Sequence, residues 1–100
     1  MKSYFTDYVN HILRFYVRRI DGDTLFRSEP DKLNYIAADR VMKKLDSRKR
    51  EMIRYVYLQY SSNVLQNVRY ISRTRGYDEK ELWLLISDVT KKIAKERGLI

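Results

Sequence analysis

Residues 71–85, "ISRTRGYDEKELWLL", decide how the chain is read. A helix-compatible stretch closes on Arg75-Gly76, and Asp78 with Glu81 has the spacing of a capping box that opens a second helix. The glycine sits where a left-handed C-terminal cap belongs. A helix–turn–helix also needs a small residue four positions before the glycine, which Ser72 supplies, and apolar residues that lock the two helices at a steep angle. Ile71, Tyr77, Leu82 and Leu85 fill four of the five apolar places, and Arg75 stands in the fifth. The turn therefore reads as a helix–turn–helix, although its outward positions begin Asp78, Glu79, Lys80, Glu81. Those acids suit the positive end of a helix dipole and oppose a polyanion.

Working outward, "SSN" at 61–63 restarts the chain into a fourth helix, with Val64, Leu65, Val68 and Ile71 as its expected buried stripe. The last helix aligns Leu82, Leu85, Ile86, Val89 and Ile93 on one face and ends at Gly98. Upstream, Asp46 is placed to cap a third helix of about 47–60, with Met52, Ile53, Val56 and Tyr57 inward. A second helix of about 31–45 carries Leu33, Ile36, Ala37, Val41 and Leu45, preceded by Ser28 as cap and Pro30 as first residue. The first helix, about 3–20, is apolar at Tyr4, Phe5, Tyr8, Val9, Ile12, Leu13, Phe15, Tyr16 and Ile20, and polar at Asp7, His11, Arg14 and Arg18. An arc wider than the ~100° of an ordinary surface helix predicts burial on two sides, within the chain or against a second copy of it.

The expected fold is all-α: one five-helix domain over residues 1–100, with the helix–turn–helix part at about 64–97. One hundred residues suit a single core, and 44% hydrophobic residues suffice to build it. The three glycines and one proline leave little room for long loops, the exception being 21–30. In that loop Asp21 and Asp23 suggest a calcium site, but its glycine and glutamate positions hold Phe26 and Lys32, so the site fails.

Chemistry is excluded by what the chain lacks. It has no cysteine, no glycine-rich phosphate loop, and one histidine, His11, read as a solvated side chain on the polar face of the first helix. Glu51 and Glu96 read as local charge balance. No enzyme, cofactor or metal is expected. The N-terminus has no signal-peptide pattern and no apolar run reaches the roughly 20 residues of a membrane span, which points to a cytoplasmic protein.

The formal charge of +8 favours a polyanionic partner. Its carriers near the motif are Arg48, Lys49, Arg50 and Arg54, then Arg69, Arg73 and Arg75, then Lys91, Lys92 and Lys95. For duplex DNA the candidate contacts are Arg48, Lys49, Arg69, Arg73, Arg75, Lys80, Ser87, Lys91 and Lys95. Trp83 and Leu84 also face outward in this mapping and mark an alternative contact with protein. The competing class is thus a helical interaction module, in homodimeric form through the first helix, that has the fold without DNA binding.

The stretch 38–60, "ADRVMKKLDSRKREMIRYVYLQY", resembles the start of the fourth region of bacterial sigma factors, with Leu45, Arg50, Glu51, Ile53 and Tyr57 in the matching places. The tail 86–100, "ISDVTKKIAKERGLI", is similar to the end of that family's second motif helix. The resemblance covers about residues 37–100 and departs from the pattern at Arg75 and in the acidic run. It has no counterpart to the region that binds the promoter −10 element. It implies a sigma-like transcription regulator of a phage or mobile element, with duplex DNA and RNA polymerase as partners.

Overall fold

Most helix starts in this chain carry a side chain that replaces a missing backbone partner. Ser28 accepts from the Asp31 amide, Asp46 from Lys49, Asn63 from Gln66 and Asp78 from Glu81. The computed structural model describes residues 5–20 and 28–100. Within them the chain forms α1 (Thr6–Ile20), α2 (Glu29–Met42), α3 (Ser47–Tyr57), α4 (Val64–Arg75) and α5 (Glu79–Glu96). No strand occurs among the described residues. The all-α, five-helix expectation holds.

Several boundaries move. The start expected at Ser3, the tyrosine at position 4 and residues 21–27 of the loop expected at 21–30 lie outside the described residues. The second helix begins at Glu29, so Pro30 is its second residue rather than its first, still within the turn where a missing N–H removes no helical bond. It closes after Met42, where Lys44 and Leu45 make short-range bonds to Val41 and Met42. The third helix stops at Tyr57, three residues early, and Arg14 of α1 donates to the carbonyls of Tyr60 and Ser61 in the segment that follows, at 2.8 and 2.9 Å. Burial and the neighbouring Arg18 lower the pKa of the Arg14 guanidinium.

Ile71, Leu82, Leu85 and Ile86 are buried together in one core that also takes Val9, Ile12, Leu13, Ile53, Val56 and Val89. Two expected core leucines are not in it. Leu33 is 44% exposed and Leu65 46%. In each case an asparagine holds the inward position. In α2 the buried face is Asn34, Ala37, Ala38, Val41 and Met42, and in α4 it is Asn67, Val68 and Ile71. At about 100° per residue, Leu33 lies about 100° from Asn34 and Leu65 about 160° from Asn67, so faces that include the asparagines turn both leucines outward. Ile36 and Leu45, also expected inward, are half-buried.

Both asparagines have partners, as buried amides must. Asn34 Nδ2 donates to the Tyr8 hydroxyl at 3.0 Å, and Asn34 Oδ1 accepts from Arg97 Nε at 2.7 Å. That one side chain joins α1, α2 and the end of α5. Asn67 Nδ2 donates to the Ser61 carbonyl at 2.8 Å. A second link between α1 and α2 runs from the Tyr16 hydroxyl to Asp39 Oδ1 at 2.8 Å, and Asp39 also holds Lys43 at 2.9 Å.

The helices form two connected groups. In one, α3, α4 and α5 pack pairwise; in the other, α1 lies on α2 and both lie against α5. Helix α5 touches all four others and is the central element. Helix α1 contacts α2, α3 and α5, which accounts for its wide apolar arc inside one chain. Phe5 and Tyr16 are buried, Phe15 is half-buried and Tyr8 is 39% exposed.

Candidate nucleic-acid interface

The connection between α4 and α5 is three residues, Gly76 to Asp78. Gly76 has φ +74°, the left-handed region that an L side chain rarely adopts, and its amide donates to the Ser72 carbonyl at 3.1 Å. Ser72 Oγ donates across the turn to the Tyr77 carbonyl at 2.7 Å, joining the end of α4 to the residue that precedes the Asp78 cap. Asp78 Oδ2 accepts from the Glu81 amide at 2.9 Å. Only this half of the capping box forms, because the Glu81 carboxylate is directed to Arg48.

That diversion answers the charge conflict read in the sequence. Each of the three acids that open α5 has a partner in the chain. Asp78 is the cap, Glu81 pairs with Arg48 of α3, and Glu79 stands 3.9 Å from Arg69 of α4. The Glu81 partner raises the pKa of Arg48, which stays a cation at any ordinary pH. All four paired side chains are about half exposed, so solvent screens both pairs and neither contributes much to stability. Their effect is on position. Two arginines from two helices are held against the N-terminal turn of α5.

A second device sits on the outer side of the turn. The Arg48 guanidinium lies 5.5 Å from the Tyr77 ring centre, Tyr77 and Tyr55 are 6.4 Å apart, and Arg75 lies 4.1 Å from the Tyr55 ring centre. Four side chains alternate cation, ring, ring, cation across α3, the turn and the end of α4. Arg75, which occupies an apolar place of the motif, is accommodated because Tyr55 offers it a ring face. Tyr77 was legible as an apolar position; the role of Tyr55 as a platform was not, since nothing local in the sequence links positions 55 and 75.

Of the expected contacts, Lys80, Ser87, Lys91 and Lys95 fall with Leu84 on one exposed stripe of α5, at spacings of four, three, four and four. These three lysines make no ion pair among the described residues, whereas Lys92, off the stripe, pairs with Asp88 at 3.0 Å. Arg69 and Arg73 share the outer face of α4 with Tyr70, and Arg73 Nε donates weakly to the Arg69 carbonyl at 3.4 Å. Arg48 is brought to α5; Lys49, exposed on the same turn of α3, makes no side-chain bond among the described residues.

The Trp83–Leu84 pair is divided by the helix. Leu84 is 64% exposed among the lysines of the stripe. Trp83, about 100° away, is half-buried in the wall of a cleft of about 760 Å³ between α1, α4 and α5. Leu65, displaced from the core, lines the same cleft.

No helix among the described residues is long and apolar enough to cross a membrane, and no group of three acidic, histidine or cysteine side chains there could hold a metal ion. The chain matches no protein-family model, no curated protein and no solved structure.

Proposed function

We propose that the protein binds duplex DNA, with α4, the turn 76–78 and α5 acting as a helix–turn–helix and α5 entering the major groove. The observation that carries this reading is the stripe Lys80, Ser87, Lys91, Lys95 on the exposed side of α5, directly after a three-residue turn. Arg48 and Arg69 flank the start of that helix, and Arg73 and Arg75 extend the basic surface along α4. Phosphate contacts from such groups set affinity and register without reading sequence. Base reading is narrow. Ser87 is the polar group offered to base edges on the stripe, and the acids that could accept from cytosine are engaged with arginines. The reading is therefore a weakly selective regulator of the kind the sigma region-four resemblance implies, acting in transcription of a phage or mobile element.

One observation favours the second reading, a protein-interaction module. Arg48 and Arg69 are already engaged by the carboxylates of Glu81 and Glu79, and Trp83 with Leu65 presents an apolar wall nearby. The two readings separate on Lys80 and Lys95, which lie on the stripe and outside the cleft lining. With Lys80→Ala and Lys95→Ala together, DNA binding predicts weaker binding to every duplex alike. The slope of log K against log salt becomes shallower by roughly two units, one for each lost phosphate contact. Unchanged affinity and slope would assign those lysines to solvent and the reading to the interaction module.

A further inference from the structure

The cleft between α1, α4 and α5 combines two kinds of wall. Phe5, Val64, Trp83 and Ile86 make an apolar floor and side, while His11, Ser87 and Lys91 stand at its polar edge. Its volume of about 760 Å³ lies within the range of roughly 300–1,000 Å³ typical of sites for small organic ligands. Three polar side chains at the edge keep their hydrogen-bonding capacity. His11 only stacks on Tyr8, with ring centres 6.4 Å apart, and the side chains of Ser87 and Lys91 make no hydrogen bond or ion pair among the described residues. Arg14, by contrast, is held by the carbonyls of Tyr60 and Ser61, and Asp7, an acid in the lining, already has an interaction of its own.

We propose that this cleft is a binding site for a small amphipathic carboxylate, whose anionic head is held by Lys91 and Ser87 and whose apolar body lies against Trp83, Val64 and Phe5. Residues 87 and 91 are four apart on one helix, so their side chains are neighbours and offer an ammonium and a hydroxyl to the two oxygens of one head group. A neutral apolar ligand would cover Lys91 without pairing it, and a cationic one would repel it; burying an unpaired charge is unfavourable in both cases. A strongly hydrated polyanion leaves the apolar wall unused. An anionic head on an apolar body satisfies both walls.

The site has a regulatory consequence that rests on the DNA reading. Ser87 and Lys91 belong both to the cleft edge and to the exposed stripe of α5. A bound carboxylate occupies both groups, so ligand and duplex compete for the same face.

Trp83 is the sole tryptophan of the chain and lines the cleft, so its fluorescence reports occupancy directly. The full chain is titrated with octanoate, octanol and octylammonium at neutral pH. The expected result is a saturable change with octanoate, and affinity weaker by roughly tenfold or more for the other two, since a charge-assisted hydrogen bond is lost. Lys91→Ala weakens octanoate by a similar factor, while Lys95→Ala, outside the cleft, leaves it unchanged; unaltered helical circular dichroism establishes that both variants are folded. Octanoate also lowers the affinity for duplex DNA. No saturable response to octanoate, equal binding of the three probes, or wild-type affinity in Lys91→Ala would overturn the site. Saturable octanoate binding by a protein with no affinity for DNA upholds the site and removes the DNA reading. Saturation that leaves duplex affinity untouched overturns the competition.

Discussion

The two groups of helices are held by different means. In α3–α4–α5 the decisive bonds are local. Asp46, Asn63 and Asp78 each cap a helix three residues ahead, Gly76 turns the chain, and Ser72 closes the turn five residues on. The polar links that tie α1 and α2 to each other and to the rest of the chain span long separations: Tyr16 of α1 to Asp39 of α2, Asn34 of α2 to Tyr8 of α1 and to Arg97 after α5, and Tyr57 of α3 to Asn10 of α1. Local bonds fix where helices begin and end. Distant ones fix which face of a helix turns inward, and a polar residue at the centre of that face overrides the leucines beside it.

The largest test of this contrast is Leu82→Ala. Leu82 is fully buried on the helix that touches all the others, so its truncation should cost about 2–5 kcal/mol. Denaturant unfolding measures it, and a loss below ~1 kcal/mol would contradict the central place of α5.

Asn34→Ala comes next, at about 1–3 kcal/mol, since it removes the partner shared by Tyr8 and Arg97. Hydrogen exchange should show faster opening in α1 and α2 than in α3 and α4. Uniform acceleration across the chain would erase the distinction between the groups.

Gly76→Ala tests the local side. A Cβ at this position meets nothing within 4 Å, so the cost is that of the left-handed backbone alone, about 1–2 kcal/mol. A thermal melt showing no loss would mean that the turn tolerates another conformation.

Two tyrosines give a pH signature of the distant side. Burial raises the pKa of Tyr57, and burial followed by the hydrogen bond to Asp39 raises that of Tyr16. Raised folded values favour the neutral phenol, so their contribution to stability is complete below the unfolded pKa of about 10 and is lost as pH climbs from there towards the folded values. In an ultraviolet titration, two of the nine tyrosines should ionise late, together with unfolding. Ionisation of all nine near pH 10 in a folded protein would refute their burial.

The smallest effect on stability is expected from Glu79→Gln with Glu81→Gln, below ~1 kcal/mol per site because both pairs are half exposed. On the DNA reading the same change strengthens non-specific binding, by releasing Arg48 and Arg69 and removing two like charges that face phosphate. Weaker binding would show instead that the acids are needed to position the arginines.

The same contrast explains what could be read in advance. The five helices, the caps at Asp46 and Asp78, the left-handed Gly76 and the core set Leu82, Leu85, Ile86, Val89 and Ile93 all follow from periodicity or from residues within one turn of each other. Leu33 and Leu65 did not, because their exposure depends on partners of Asn34 and Asn67 in other helices or loops. Lys80, Lys91 and Lys95 were singled out in the sequence as contacts, but the last two were grouped with Lys92, which pairs with Asp88 away from their stripe. The pairing of Glu79 and Glu81 with arginines of two other helices was not legible, nor was the Tyr55–Tyr77 platform, since both need the packing of α3 against α4 and the turn. The cleft has no sequence pattern at all; its walls come from segments around residues 5–14, 57–67 and 83–91.

The central claim, that the surface of α4 and α5 is a DNA interface, is tested most directly by titrating the unaltered protein with random-sequence duplex over a series of salt concentrations. Three to five phosphate contacts predict that log K falls linearly against log salt with a slope of roughly −3 to −4.5, and with little difference between sequences. An absence of salt-dependent affinity at low ionic strength would contradict the claim despite the charge of +8, and would leave the Trp83–Leu65 wall as the functional surface.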